Sequence, residues 1–88
     1  MYLVEFKKHV KRTLAKIKKK DRLQLETIRG KVKQIAESPY RFKPLRAPLQ
    51  SLRRVHILKS FVLVYSVDEK TKTVTIEDYD HHDNVYNR

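Results

Sequence analysis

The apolar residues of this chain keep helical spacing as far as Ser38-Pro39 and then alternate, and that change of period constrains the fold more than any other feature. Val10, Leu14 and Ile17 form one helical stripe; Leu25, Ile28, Val32 and Ile35 form a second. Asp21, three residues before Gln24, predicts a capping box at the start of the second helix. Ser38-Pro39 ends that helix, because the residue before a proline is pushed out of the helical region. Almost nothing separates the two helices, so an antiparallel hairpin is expected. Gly30 inside the second helix costs about 1 kcal/mol relative to alanine, and a close approach of the two helices there would be one reason to keep it.

Tyr2 to Phe6, rich in β-branched and aromatic types, reads as a short leading strand. Pro39 to Pro48 is an extended loop carrying Arg41, Lys43 and Arg46. From Leu52 the period is two: Val55 and Ile57 point one way, Arg54, His56 and Leu58 the other. Lys59-Ser60 is a turn, and Phe61 to Val67 is apolar on both faces, as a central strand is. Asp68 to Lys72 is a polar turn, Thr73 to Tyr79 a last strand, and a short tail holds Val85 and Tyr86. The order is β-α-α-β-β-β. It predicts one α+β domain over residues 1–88, an antiparallel sheet with a two-helix hairpin packed on one face and the other face open.

Neither helix has a stripe broad enough to stand alone, so both must pack on the sheet. With 88 residues, only about two thirds of the unfolded surface can be buried. There is no cysteine, which excludes disulfides and thiolate metal sites and fits a reducing cytosol. Met1 to Val4 is too short an apolar stretch for a signal peptide, and Phe61 to Tyr65 is too short to span a bilayer. A cytoplasmic protein without membrane association is expected.

The net charge of +11 is unevenly placed. Residues 1–59 hold 18 Lys and Arg against 4 Asp and Glu, whereas residues 60–88 hold 3 against 6. A basic surface of this kind attracts phosphate backbones or an acidic protein through long-range, salt-sensitive forces. Lys7, Lys8, Lys11, Arg12, Lys16 and Lys18 to Lys20 either solvate a helix face or suit ribosomal RNA.

Three groups could carry chemistry. Arg54 and His56, two apart on a strand, share the face turned away from the core, with Arg53 beside them; they could handle a phosphate or simply solvate the strand. His81-His82 follows the last strand, and histidine exchanges protons near neutral pH. Asp78, Asp80 and Asp83 lie near in sequence, but adjacent histidines on a strand diverge and the spacing matches no zinc pattern. No metal site is expected. Tyr86 could pack the tail down or stack on an RNA base. Lys43 and Arg46 on the loop could meet backbone phosphate or a partner protein.

The stretches ESPYRFKPLRAPLQSLRRVHI and FVLVYSVDEKTKTVTIEDYDHHDNVY resemble the RelE/ParE toxins of type II toxin–antitoxin systems, RelE-like and YafQ-like members above all. The first runs into a basic strand; the second has a central strand ending in Val-Tyr, a polar turn, a last strand and a closing His-x-x-Val-Tyr. The resemblance extends over essentially the whole chain. It implies a ribosome-dependent, metal-independent endoribonuclease that cuts mRNA in the A site by attack of a ribose 2′-oxygen on the adjacent phosphate. It also implies the roles: Arg54 and His56 as the basic pair of the middle strand, His82 as the acid, with His81 in its place if the register shifts by one, and Tyr86 as the closing aromatic; Lys43, Arg46, Arg53 and His81 are the expected RNA or phosphate contacts around them. It implies no cofactor. The partners it implies are a RelB-like antitoxin, acidic and disordered alone, bound in a heteromeric complex, together with the ribosome and its mRNA. Val62 departs from the pattern, since many members carry an arginine there. ParE-type members keep the fold, lack the nuclease set and poison DNA gyrase; a non-catalytic RNA-binding module is the third possibility.

Overall fold

The computed structural model describes residues 1–86, the side chain of Tyr86 excepted. Its elements are β1 (Leu3–Phe6), α1 (Lys8–Lys20), α2 (Arg22–Glu37), β2 (Arg53–Ile57), β3 (Phe61–Asp68), β4 (Thr73–His81) and α3 (His82–Tyr86). Apart from α3, a single turn where only a tail was expected, these are the elements that the sequence pattern predicts.

A single residue joins the helices, and it serves both. The Asp21 N–H donates to Ile17 O, 2.8 Å away, closing α1. Its carboxylate accepts from Gln24 N at 3.0 Å and from Gln24 Nε2 at 3.2 Å, opening α2. The expected capping box is therefore altered: the Gln24 side chain meets the carboxylate, because the Asp21 N–H already serves α1. These hydrogen bonds, the backbone one first, hold the Asp21 carboxyl below its usual range. Lys18, Lys19 and Lys20 fill the last turn of α1, where the helix dipole favours cations. Gly30 is not a point of close approach: a Cβ built there meets nothing within 4 Å.

The sheet order is β1-β4-β3-β2. β2, β3 and β4 form the expected antiparallel meander, and β3, apolar on both faces, is an inner strand. β1 differs from the expectation, because it pairs parallel with β4, Leu3 opposite Thr73 and Phe6 opposite Ile76. The sheet is therefore mixed. The cause lies in where α2 ends. Tyr2 N–H donates to Ala36 O at 2.9 Å, so α2 returns the chain to the end of the sheet where β1 begins. β2 then sets out in the direction of β1, and after two reversals β4 does too.

Both sheet faces bury apolar side chains. On the helix side Val10, Ile28 and Ile35 pack against Val55, Ile57, Leu63, Tyr65, Val74, Ile76 and Tyr79. The second face is not left open as expected: Val62, Val64 and Val85 form their own cluster, with Leu45 and Leu52 packed against it. The loop after α2 and the short α3 thus roof part of that face. Among the described residues no helix is long and apolar enough to cross a membrane.

Candidate active site

The alternation of β2 decides which side chains reach the second face. Val55 and Ile57 are buried toward the helices, so Arg54 and His56 turn the other way. At the far end of β4 the chain turns into α3, and the His82 N–H donates to Ser60 O at 2.7 Å. That bond fastens the start of α3 to the β2–β3 turn. It brings the His82 ring onto the His56 ring, centroids 5.7 Å apart and planes 25° from parallel. Val85, one helical turn on, is buried over Val62 and Val64 and seats α3 on the sheet.

The loop between α2 and β2 forms the opposite wall. Leu45 N–H donates to Leu52 O at 2.9 Å, Leu49 N–H to Arg46 O at 2.8 Å, and Arg54 N–H to Lys43 O at 3.1 Å. The Arg54 Nη1 donates to Pro44 O at 3.2 Å. Between loop and sheet lies a cleft of about 540 Å³ lined by Pro44 to Leu49, Arg54, His56, His82 and Val85. Two guanidinium groups and two imidazoles thus meet an apolar wall of Pro44, Leu45, Pro48 and Leu49. Beside the cleft, the Asp83 carboxylate lies 3.5 Å from His82 Nδ1.

The structure brings together Arg46, Arg54, His56 and His82 from the residues singled out in the sequence. Others stand apart. Arg53 faces the helix layer, its Nη1 donating to Phe42 O at 2.7 Å and its guanidinium 5.0 Å from the Tyr40 ring centre. His81, the last residue of β4, is not among the residues lining the cleft and meets the Phe61 ring edge-on at 5.7 Å. Lys43 is exposed on the loop, outside the cleft lining. Tyr86 ends α3, and its side chain lies outside the described residues. The lysine-rich face of α1 belongs to the helix layer, across the sheet from the cleft. Among the described residues no group of three or more His, Cys, Asp or Glu could hold a metal ion.

Two features were not singled out in the sequence. The apolar wall comes from the repeated Pro-Leu pairs at 44–45 and 48–49, four residues apart, a signal that was there to be read. Ser60 contributes only a backbone carbonyl, which no residue type announces.

A family model described as ParE toxin of type II toxin–antitoxin system, parDE, matches residues 4–86. An uncharacterized protein of Methanosarcina mazei is 48% identical over 86 residues, covering 98% of this chain and all of that one. A Methanocaldococcus jannaschii protein provisionally named toxin RelE4 is 46% identical over 88 residues, covering 100% of this chain and 94% of that protein. The chain is a toxin of the RelE/ParE superfamily. Among solved structures, the toxin–antitoxin complex RelBE2 of Mycobacterium tuberculosis matches with a TM-score of 0.73 and 27% identity, covering 92% of this chain and 91% of that one. The RelE/ParE fold accounts for the mixed sheet and the helical hairpin. In this chain the cleft lining includes two histidines, His56 and His82, and Val62, where the resemblance leads one to expect arginine, is fully buried.

Proposed function

We propose that this toxin is a metal-independent, ribosome-dependent endoribonuclease that cuts mRNA in the A site. The observation that carries the reading is the stacked His56–His82 pair in a cleft that also holds Arg46 and Arg54. Stacked rings present their edges side by side, so one phosphodiester can reach both. His56 accepts the proton of the ribose 2′-hydroxyl while the 2′-oxygen bonds to phosphorus. The bond from phosphorus to the 5′-oxygen breaks, and His82 donates its proton to that oxygen. Positioned acid–base groups of this kind contribute roughly 10²–10⁴-fold. Arg54 and Arg46 offset the charge that grows on the phosphoryl oxygens, in a site preorganised for it. Lys43 and His81 lie outside the lining and serve, in this reading, as outlying phosphate contacts; Tyr86 supports a base. Cleavage in the A site stops translation, and the toxin works in the cytoplasm.

The partner in this reading is a RelB-like antitoxin in a heteromeric complex; the Mycobacterium tuberculosis relative is itself a toxin–antitoxin complex. An acidic segment, disordered alone, suits a chain of net charge +11.

A second reading has one observation in its favour, the ParE description of the matching family model. ParE-type members poison DNA gyrase and lack a nuclease set; the paired histidines favour the nuclease. The test is to map the 3′ ends of a defined mRNA on programmed ribosomes, using toxin pretreated with EDTA, beside a gyrase supercoiling assay. Ribosome-dependent cuts at A-site codons support the nuclease. Intact mRNA with inhibited supercoiling supports the gyrase reading, and intact mRNA with normal supercoiling leaves a non-catalytic binding role.

A further inference from the structure

The loop at residues 38–52 is long for a compact domain, and one isolated bridge, Pro44 to Arg53, ties its middle to the sheet. It also changes side. Tyr40 and Phe42 lie with the helix layer, whereas Pro44 to Leu49 wall the cleft on the opposite face. The loop therefore wraps the outer edge of β2, and something must hold it on both sides of that strand.

Two adjacent arginines do so. Arg54 reaches over the cleft face to Pro44 O. Arg53 reaches over the helix face, donating to Phe42 O at 2.7 Å and, more weakly, to Tyr40 O at 3.4 Å. Its guanidinium lies 5.0 Å from the centre of the Tyr40 ring, a cation–π contact. Tyr40 is itself anchored, because its hydroxyl donates to Glu69 on the β3–β4 turn. Glu69 also accepts from Tyr2 at 2.8 Å and from Lys72. Behind these, the buried Tyr65 hydroxyl donates to Pro39 O at 2.5 Å. The start of the loop is thus tied to β3 and the β3–β4 turn, and through Glu69 to Tyr2 just before β1, with Arg53 as the last tie before the crossing.

We propose that Arg53 is a positioning residue, which fixes the loop carrying Lys43 and Arg46 over the cleft and makes no contact with phosphate. Both of its polar partners named above are loop carbonyls, and it lies on the face of β2 opposite His56. The proposal rests on the nuclease reading only for its effect on turnover; its structural part stands apart from that reading.

The experiment compares wild type, Arg53→Met, Tyr40→Leu and the double variant by amide hydrogen exchange of residues 41–49 and by kcat and KM on programmed ribosomes. Loss of a hydrogen bond from a charged donor should speed exchange in that segment by about tenfold or more, with α1 and α2 unchanged. The two single effects should not add, because both residues hold the same loop, and kcat should fall more than KM rises. Unchanged exchange in Arg53→Met, with KM raised and no effect of Tyr40→Leu, would overturn the proposal in favour of a direct RNA contact. Should Arg53→Met fail to fold, Arg53→Lys is read the same way, with an intermediate rise in exchange expected and no rise counting against the proposal. If wild type cuts no mRNA, the nuclease reading fails while the exchange data still decide the role of Arg53.

Discussion

His56 on β2 and His82 at the start of α3 stack with ring centroids 5.7 Å apart, although 26 residues separate them in the chain. A pair that works as acid and base acts as a unit. His56→Gln and His82→Gln should each lower cleavage by about 10²-fold or more, and the double variant should fall little further. Both rings are at least partly exposed, so thermal unfolding should shift little. Single-turnover cleavage beside a melting curve checks this, and a His82→Gln toxin with full activity would remove the acid from the account.

Val62 stands where the resemblance to RelE/ParE toxins leads one to expect arginine, and its surroundings are apolar. Its side chain is 0% exposed, under Leu45, Leu52 and Val85. Val62→Arg would bury an unpaired charge, at a cost comparable with the roughly 5–15 kcal/mol that holds a small domain together. The variant should be unfolded or strongly destabilised rather than more active; equal stability in urea denaturation would show that the roof over this face yields easily.

Tyr79 and Gln24 link the sheet to α2 through a buried hydrogen bond, Tyr79 hydroxyl to Gln24 Oε1 at 2.5 Å. Burial raises the Tyr79 phenol well above its ordinary range, so it remains a neutral donor. Tyr79→Phe leaves the amide oxygen unsatisfied and should cost about 1–3 kcal/mol, read as a lower urea midpoint at unchanged slope.

Gly30 offers the opposite case. A methyl group added at its Cα would meet no neighbour within 4 Å, so Gly30→Ala should stabilise by up to about 1 kcal/mol. A loss of stability would mean that the helix surface at this point meets something in the folded protein.

Glu69 accepts from Lys72, Tyr40 and Tyr2, which together lower its carboxyl from 4.5 to about 2. A depressed carboxylate contributes stability above its unfolded pKa and loses it as pH falls toward the folded value. The tie should therefore be intact at neutral pH and weaken between about pH 4.5 and 2. Glu69→Gln should flatten the acid limb of stability in that window; an unchanged limb would show that this exposed cluster contributes nothing measurable.

The helices, strands and the Arg54–His56 face were legible because periodicity reports which side chains are buried. The direction of β1 was not, since pairing partners are set by where α2 ends, a backbone relation between Tyr2 and Ala36. The covered second face was missed for a similar reason. Leu45, Leu52 and Val85 lie in segments too short and irregular to show a period, and only the fold brings them over Val62. The face that Arg53 takes follows from the alternation along β2, but its partners do not, because the carbonyls of Tyr40 and Phe42 come from a loop with no period.

A cleft that makes a ribose 2′-oxygen attack its own phosphate leaves a chemical signature on the cut ends. mRNA cut on programmed ribosomes should carry a 2′,3′-cyclic phosphate upstream and a 5′-hydroxyl downstream, and a single 2′-deoxy substitution at the cut should abolish cleavage. Fragments with 3′-hydroxyl ends, or efficient cutting of the 2′-deoxy substrate, would contradict the account, because neither can arise from that attack.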